Sequence, residues 1–189
     1  LAAALTIGDT ALAVPTGTFT WTGSGTNGNW TTGSNWVGNT APATSASGTF
    51  VFNNSTKTTG TNGIVGLTAQ QLTYTSGAGA FTTYGNTLTV GSITNASSNN
   101  QTLNLAVIQS TNGTYNTGAG GITIGGTFSG SGDVIKSGGG TLTFAGSSNP
   151  STYSGTINVT NGTLAINSAS GLAAGSVVMG NNTTLSTNV

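Results

Sequence analysis

Residues 141–166 read TLTFAGSSNPSTYSGTINVTNGTLAI. Three short runs lie in this stretch: Thr141–Phe144, Thr156–Val159 and Thr163–Ile166. Each sets apolar side chains beside small ones, and Gly, Asn, Ser and Pro fill the gaps between them. Alternation at period two sends one set of side chains inward and the other toward water, the signature of a half-buried strand. The same unit recurs outward in both directions. Upstream stand 18–21, 49–52, 71–74, 87–90, 102–105 and 121–124, and downstream stands 176–179. Asn-Gly, Gly-Gly, Ser-Gly and Gly-Asn turns bound these runs, chemistry that permits positive φ. Helix is nearly absent from the reading, because Gly or Asn breaks almost every window of ten; residues 1–13 and 168–174 are the weak exceptions.

Short strands with such turns fit either an antiparallel sandwich or a parallel β-solenoid. A sandwich calls for tight two-residue hairpins and some long strands. Here the strands stay at about four to six residues and the connections vary in length, which suits coils with unequal turns. The expected fold is therefore all-β, a parallel β-helix of about eight to ten coils of roughly twenty residues. At ~4.8 Å per coil that makes a rod on the order of 45 Å.

Composition narrows the function. The chain has 189 residues and four charged side chains, Asp9, Lys57, Asp133 and Lys136, with no Glu, Arg, His or Cys. Charged residues make up 2%, against about 25% in an average domain. A net charge of zero cannot neutralise a run of phosphates or an anionic lipid surface, so nucleic acid and membrane surface are not expected partners. No run approaches the ~20 apolar residues of a membrane helix. A protein with so little charge repulsion associates readily. The first residues, with Leu1, Leu5, Ile7 and Leu12, are apolar, and Ala11 to Ala13 resembles a small-residue cleavage site. Segment 1–13 is read as a mature N-terminal segment or a signal remnant, 14–60 as a Trp-rich cap with the first coils, and 61–189 as the body of the solenoid.

Four ordered elements lie between residues 126 and 166: Gly-x-Gly-x-Val-x-Lys (Gly130 to Lys136), Gly-Thr-Leu-Thr-Phe (Gly140 to Phe144), Tyr-Ser-Gly-Thr (Tyr153 to Thr156) and Asn-Gly-Thr-Leu (Asn161 to Leu164). Together they closely resemble the autotransporter-associated β-strand repeat of bacterial surface-protein passengers. Trp21-Thr22-Gly23, Asn29-Trp30 and Asn35-Trp36-Val37 resemble the region that often precedes such repeats. The resemblance implies a right-handed parallel β-helix, secreted and displayed extracellularly at a bacterial cell surface. Autotransporters end in a membrane β-barrel of roughly ten-residue strands, and this sequence shows none. It stops at Val189 within what reads as another coil, so either it is a fragment or the subunit presents a bare coil edge. An uncharged edge has little to prevent pairing with another chain. Head-to-tail stacking follows as an expectation, with Leu1, Leu5, Ile7, Leu12, Val177, Val178, Leu185 and Val189 as assembly residues and 1–13 as a strand donated to a neighbour.

No catalytic, metal or cofactor site is expected. Acid–base work needs a titratable pair, yet only Asp9 and Asp133 exist and they lie far apart in the sequence; serines have no His base. Calcium wants several carboxylates and zinc wants His or Cys. Asp133 and Lys136 read as solvated turn residues or a local pair. Trp21, Trp30 and Trp36 read as a cap on the end of the core, with a sugar-stacking platform as the alternative. The Thr-x-Thr pairs 18/20, 73/75, 87/89 and 141/143 are too unevenly spaced for one stacked file. The expected function is structural: a non-enzymatic subunit of an extracellular filament or surface layer, with copies of itself as partner. A glycan-binding adhesin passenger is the alternative, and an ice-binding solenoid the remote one.

Overall fold

The computed structural model describes residues 16–146, 152–167 and 175–188. The proposed helical stretches 1–13 and 168–174 lie outside those residues, as do Leu1, Leu5, Ile7, Leu12 and Val189. Among the described residues there is no α-helix, only two short 3-10 turns at Gly33–Asn35 and Val37–Asn39. The strands in chain order begin with β1 (Thr16–Trp21), β2 (Ser47–Phe52), β3 (Thr59–Asn62), β4 (Thr68–Tyr74), β5 (Thr82–Gly85) and β6 (Leu88–Asn95). Next come β7 (Gln101–Leu103), β8 (Val107–Ile108), β9 (Gly113–Thr117), β10 (Ile122–Ile124), β11 (Phe128–Gly130) and β12 (Val134–Ser137). The last are β13 (Thr141–Phe144), β14 (Thr152–Tyr153), β15 (Thr156–Val159), β16 (Thr163–Ile166), β17 (Ser176–Met179) and β18 (Thr184–Thr187).

These strands form a β-solenoid. One sheet runs β1-β2-β4-β6-β9-β12-β15-β17, with β8, β11 and β14 lying alongside as a narrow third face. The other runs β3-β5-β7-β10-β13-β16-β18. Pairing within both sheets is parallel. Each strand therefore pairs with its counterpart one coil later. The stack makes about six turns, fewer than the eight to ten coils expected. Steps between paired residues range from 19 (Leu88 to Val107) to 23 (Val134 to Ile157) after an opening step of 31 (Thr16 to Ser47).

Because registry is kept coil after coil, inward residues line up in files. On the first sheet one file runs Phe19, Phe50, Leu72, Ile93, Tyr115, Lys136, Val159 and Met179. On the second sheet, Gln101, Ile122, Leu142, Leu164 and Leu185 stack. Side chains well inside these files are fully buried, and dispersion plus water exclusion along them holds the rod together. Outward residues form files too. Thr59, Thr82, Thr102, Thr123 and Thr143 stand in register on the second sheet. Of the Thr-x-Thr residues only Thr143 joins this file, while Thr18, Thr20, Thr73 and Thr89 stand on the first sheet, so those pairs do not share one file.

The long first step accommodates the Trp-rich segment. Trp21, Trp30 and Trp36 are each 1% exposed. Trp36 bridges Trp21 in antiparallel fashion, and its ring meets Phe19, Trp21, Trp30 and Phe50 edge-on at centroid distances of 6.4, 5.1, 5.9 and 6.0 Å. Its Nε1 donates to the Trp30 carbonyl at 2.7 Å, so the indole is both packed and satisfied. Asn29 adds a bridge beneath Thr61, extending the second sheet by one partial rung.

Tight stacking fixes the glycines. A Cβ on Gly113 would sit on the carbonyl oxygen of Gly91 one coil earlier, whereas a Cβ on Gly139 meets nothing within 4 Å. Gly113→Ala is expected to cost about 1–3 kcal/mol, although Gly113 is only half-buried. Gly139→Ala should be neutral or slightly stabilising through the unfolded chain. Paired denaturant melts of the two variants check this, and equal stabilities would contradict the registry.

Candidate functional site

The chemistry-bearing side chains of this chain concentrate where 130–137 packs on 153–162. Lys136 departs from the solvated reading. It takes the inward position between Tyr115 and Val159 in an apolar file and is fully buried. The strand alternation dictates this, because Val134 and Lys136 share parity and Val134 faces the core. The ammonium ends at a turn, where Nζ donates to the carbonyls of Ser137 at 3.1 Å, Gly138 at 2.8 Å and Asn161 at 2.7 Å. The first two belong to its own coil and the third to the next. One cation thus satisfies carbonyls of two stacked turns, the compensation a buried charge requires. Gly162, at φ +76°, keeps this turn open, since a Cβ there would reach 2.9 Å from Nζ.

Tyr153 makes a second staple. Its hydroxyl donates to the Gly132 carbonyl at 2.9 Å and lies 3.1 Å from that of Thr156. Asp133 makes a third: its Oδ1 accepts the Thr156 N–H at 2.8 Å, while its own N–H donates to Asn112 Oδ1 at 2.9 Å. Asp133 and Lys136 therefore serve different backbone groups and do not act as a local pair. Each of the three side chains spans adjacent coils.

Buried amides that the sequence reading passed over do similar work. Asn95 accepts from Ser97 N–H at 3.0 Å and donates to the carbonyls of Asn99 and Gly121 at 2.8 and 2.9 Å. Gln101 accepts from Phe81 N–H at 2.9 Å and donates to Gly79 at 3.0 Å. Gln109 donates to Gly91 and Thr111 at 2.8 and 2.6 Å and accepts from the Tyr115 hydroxyl at 2.7 Å. Their signal in the sequence is a polar residue on the inward parity beside a turn.

The named assembly residues fall in two places. Leu185 continues the buried Leu142–Leu164 file but is 46% exposed, because no described coil covers it. Val177 and Met179 likewise end inward files and are half-buried. Val178 has the opposite parity and stands on the outer face beyond Asn158, 53% exposed. Trp21, Trp30 and Trp36, the residues offered as a sugar-stacking platform, are buried, as are Tyr74, Tyr115 and Tyr153, whereas Tyr84 is exposed. Among the described residues no three His, Cys, Asp or Glu side chains gather, and no helix is long and apolar enough to cross a membrane.

Burial perturbs the titrating groups. Desolvation pushes the Lys136 ammonium down from 10.5 to about 8. Desolvation first, and the nearby Asp133 charge second, raise the Tyr153 phenol to about 12. Tyr74 and Tyr115 are driven well above the usual phenol range by desolvation. Between about pH 8 and 10 the unfolded chain holds a Lys136 proton that the folded chain has released, so stability rises with pH there. Above pH 10 the unfolded chain loses phenol protons that the folded chain retains, so stability falls. Denaturant melts across this range should show a maximum near pH 10. Lys136→Met should lose the rising limb and keep the falling one; a rise that survives in Lys136→Met would refute this origin.

Residues 134–166 match the family model of the passenger-associated-transport-repeat. Searches of curated proteins and of solved structures gave no match. The matched span runs from Val134 through Lys136, Tyr153 and Asn161, and so covers the Lys136 and Tyr153 staples, with Asp133 just ahead of it. The four-element resemblance of residues 130–164 thus overlaps the span that matches this family model, and within that span Lys136 and Tyr153 tie one coil to the next.

Proposed function

We propose that this chain is a non-enzymatic structural solenoid, secreted and displayed at a bacterial cell surface, where copies of it stack head to tail into a filament or layer. The observation that carries the reading is the in-register solenoid itself, whose parallel strands run from β1 to β17 and pair backbone to backbone along the axis. The file that ends at Met179 begins at Phe19 on β1, which is only half-buried and forms the other end of the same sheet. Residues 1–13, with Leu1, Leu5, Ile7 and Leu12, add a strand to that junction in the proposed assembly. The passenger-type repeat at 134–166 supports surface display.

Such a junction is backbone pairing and apolar contact, so salt should leave it largely intact. Electron microscopy and sedimentation of the full chain should reveal end-to-end assemblies that persist in high salt. Leu185→Lys, or removal of residues 1–13, should return single rods. Monodisperse rods from the unaltered chain at every concentration would defeat the proposal.

A further inference from the structure

Two hollows of about 380 and 330 Å³ lie end to end on the outer face of the first sheet and share Ser92 and Asn112. Together they make one groove along the rod, reaching from Thr68 to Asn158. Its floor follows an outward file, Ser92, Thr114, Ile135 and Asn158, held in register by β6, β9, β12 and β15. Its wall is the corner where the third face bends into the first sheet. That wall is braced from inside by fully buried Gln109, whose amide holds the Gly91 and Thr111 carbonyls.

The lining has a specific chemistry. Asn112 and Asp133 each use one oxygen to hold the backbone of the following coil, which fixes both side chains in place. No described residue takes Asp133 Oδ2 or Asn112 Nδ2, so an acceptor and a donor remain available at the groove. Ile135, 44% exposed, sets an apolar patch beside them. The groove holds one carboxylate and no cation. We infer that it binds a linear neutral oligosaccharide. Sugar hydroxyls suit a carboxylate, amides and hydroxyls at fixed positions, the C–H face of a pyranose suits Ile135, and the lone negative charge disfavours acidic polymers. The groove lies on the side of the rod, away from its ends, so the inference is independent of end-to-end assembly.

Calorimetric titration of the full chain with cellohexaose, maltohexaose and the hexamer of N-acetylglucosamine tests it, with polygalacturonate as the acidic counter-probe. At least one neutral hexamer should bind. Asp133→Asn keeps an acceptor for Thr156 N–H and should weaken binding about tenfold, the loss of one charge-assisted hydrogen bond. Ser92→Tyr should fill the junction of the two hollows and abolish binding. Tyr84→Ala, which alters the exposed aromatic elsewhere, should leave affinity unchanged. Three outcomes overturn the inference: no neutral hexamer binds, binding survives both groove variants, or polygalacturonate binds more tightly than the neutral hexamers.

Discussion

Every feature of this protein depends on the parallel, in-register stacking of its coils. Strand pairing satisfies the backbone along the sheets, but at the corners each coil must find partners in its neighbour. A corner carbonyl or N–H that faces inward has no water to turn to. The chain meets this demand with side chains that reach one coil up or down: Asn95, Gln101, Gln109, Asp133, Lys136 and Tyr153. The same stacking excludes side chains wherever one corner rests on another, which explains why Gly113 cannot carry a Cβ.

The use of charge follows from the same constraint. A cation within an apolar file is costly unless its donors all find acceptors, and Lys136 has three carbonyls arranged around it. A neutral side chain of that length would fill the space and leave those carbonyls without a donor. The lysine therefore trades desolvation for the satisfaction of two turns at once. Its lowered affinity for a proton is the trace of that trade.

Much of the fold was legible in the sequence, because period-two alternation reports parity directly. Strands such as Thr141–Phe144 and Thr156–Val159 could be marked from their apolar residues, and repetition of short units pointed to coils. Strands with little apolar content were harder to see. Thr59–Asn62 and Gly113–Thr117 are pinned by their neighbours in the stack and carry almost no periodic signal of their own. The staples were illegible for a related reason. Parity places Lys136 inside, but the acceptors that make the interior tolerable come from Asn161, and 25 residues of chain separate the two. Parity also divides Val177 from Val178, a distinction that residue type alone does not make.

A solenoid of this design separates stability from surface chemistry. Interior files and corner staples fix the rod, while outward positions are free to vary so long as they tolerate the pleat. The two outer faces show the result. The second sheet carries an unbroken file of five threonines, a uniform and weakly featured surface. The first sheet mixes Ser92, Thr114, Ile135 and Asn158 beside a rigid corner, and there the surface acquires a groove. The difference arises at the corner, where Asn112 and Asp133 stitch coils together and, in doing so, are held with their remaining polar atoms at the surface. The bonds that close the core on one side of a corner thus preorganise recognition on the other, at no further cost in side-chain entropy.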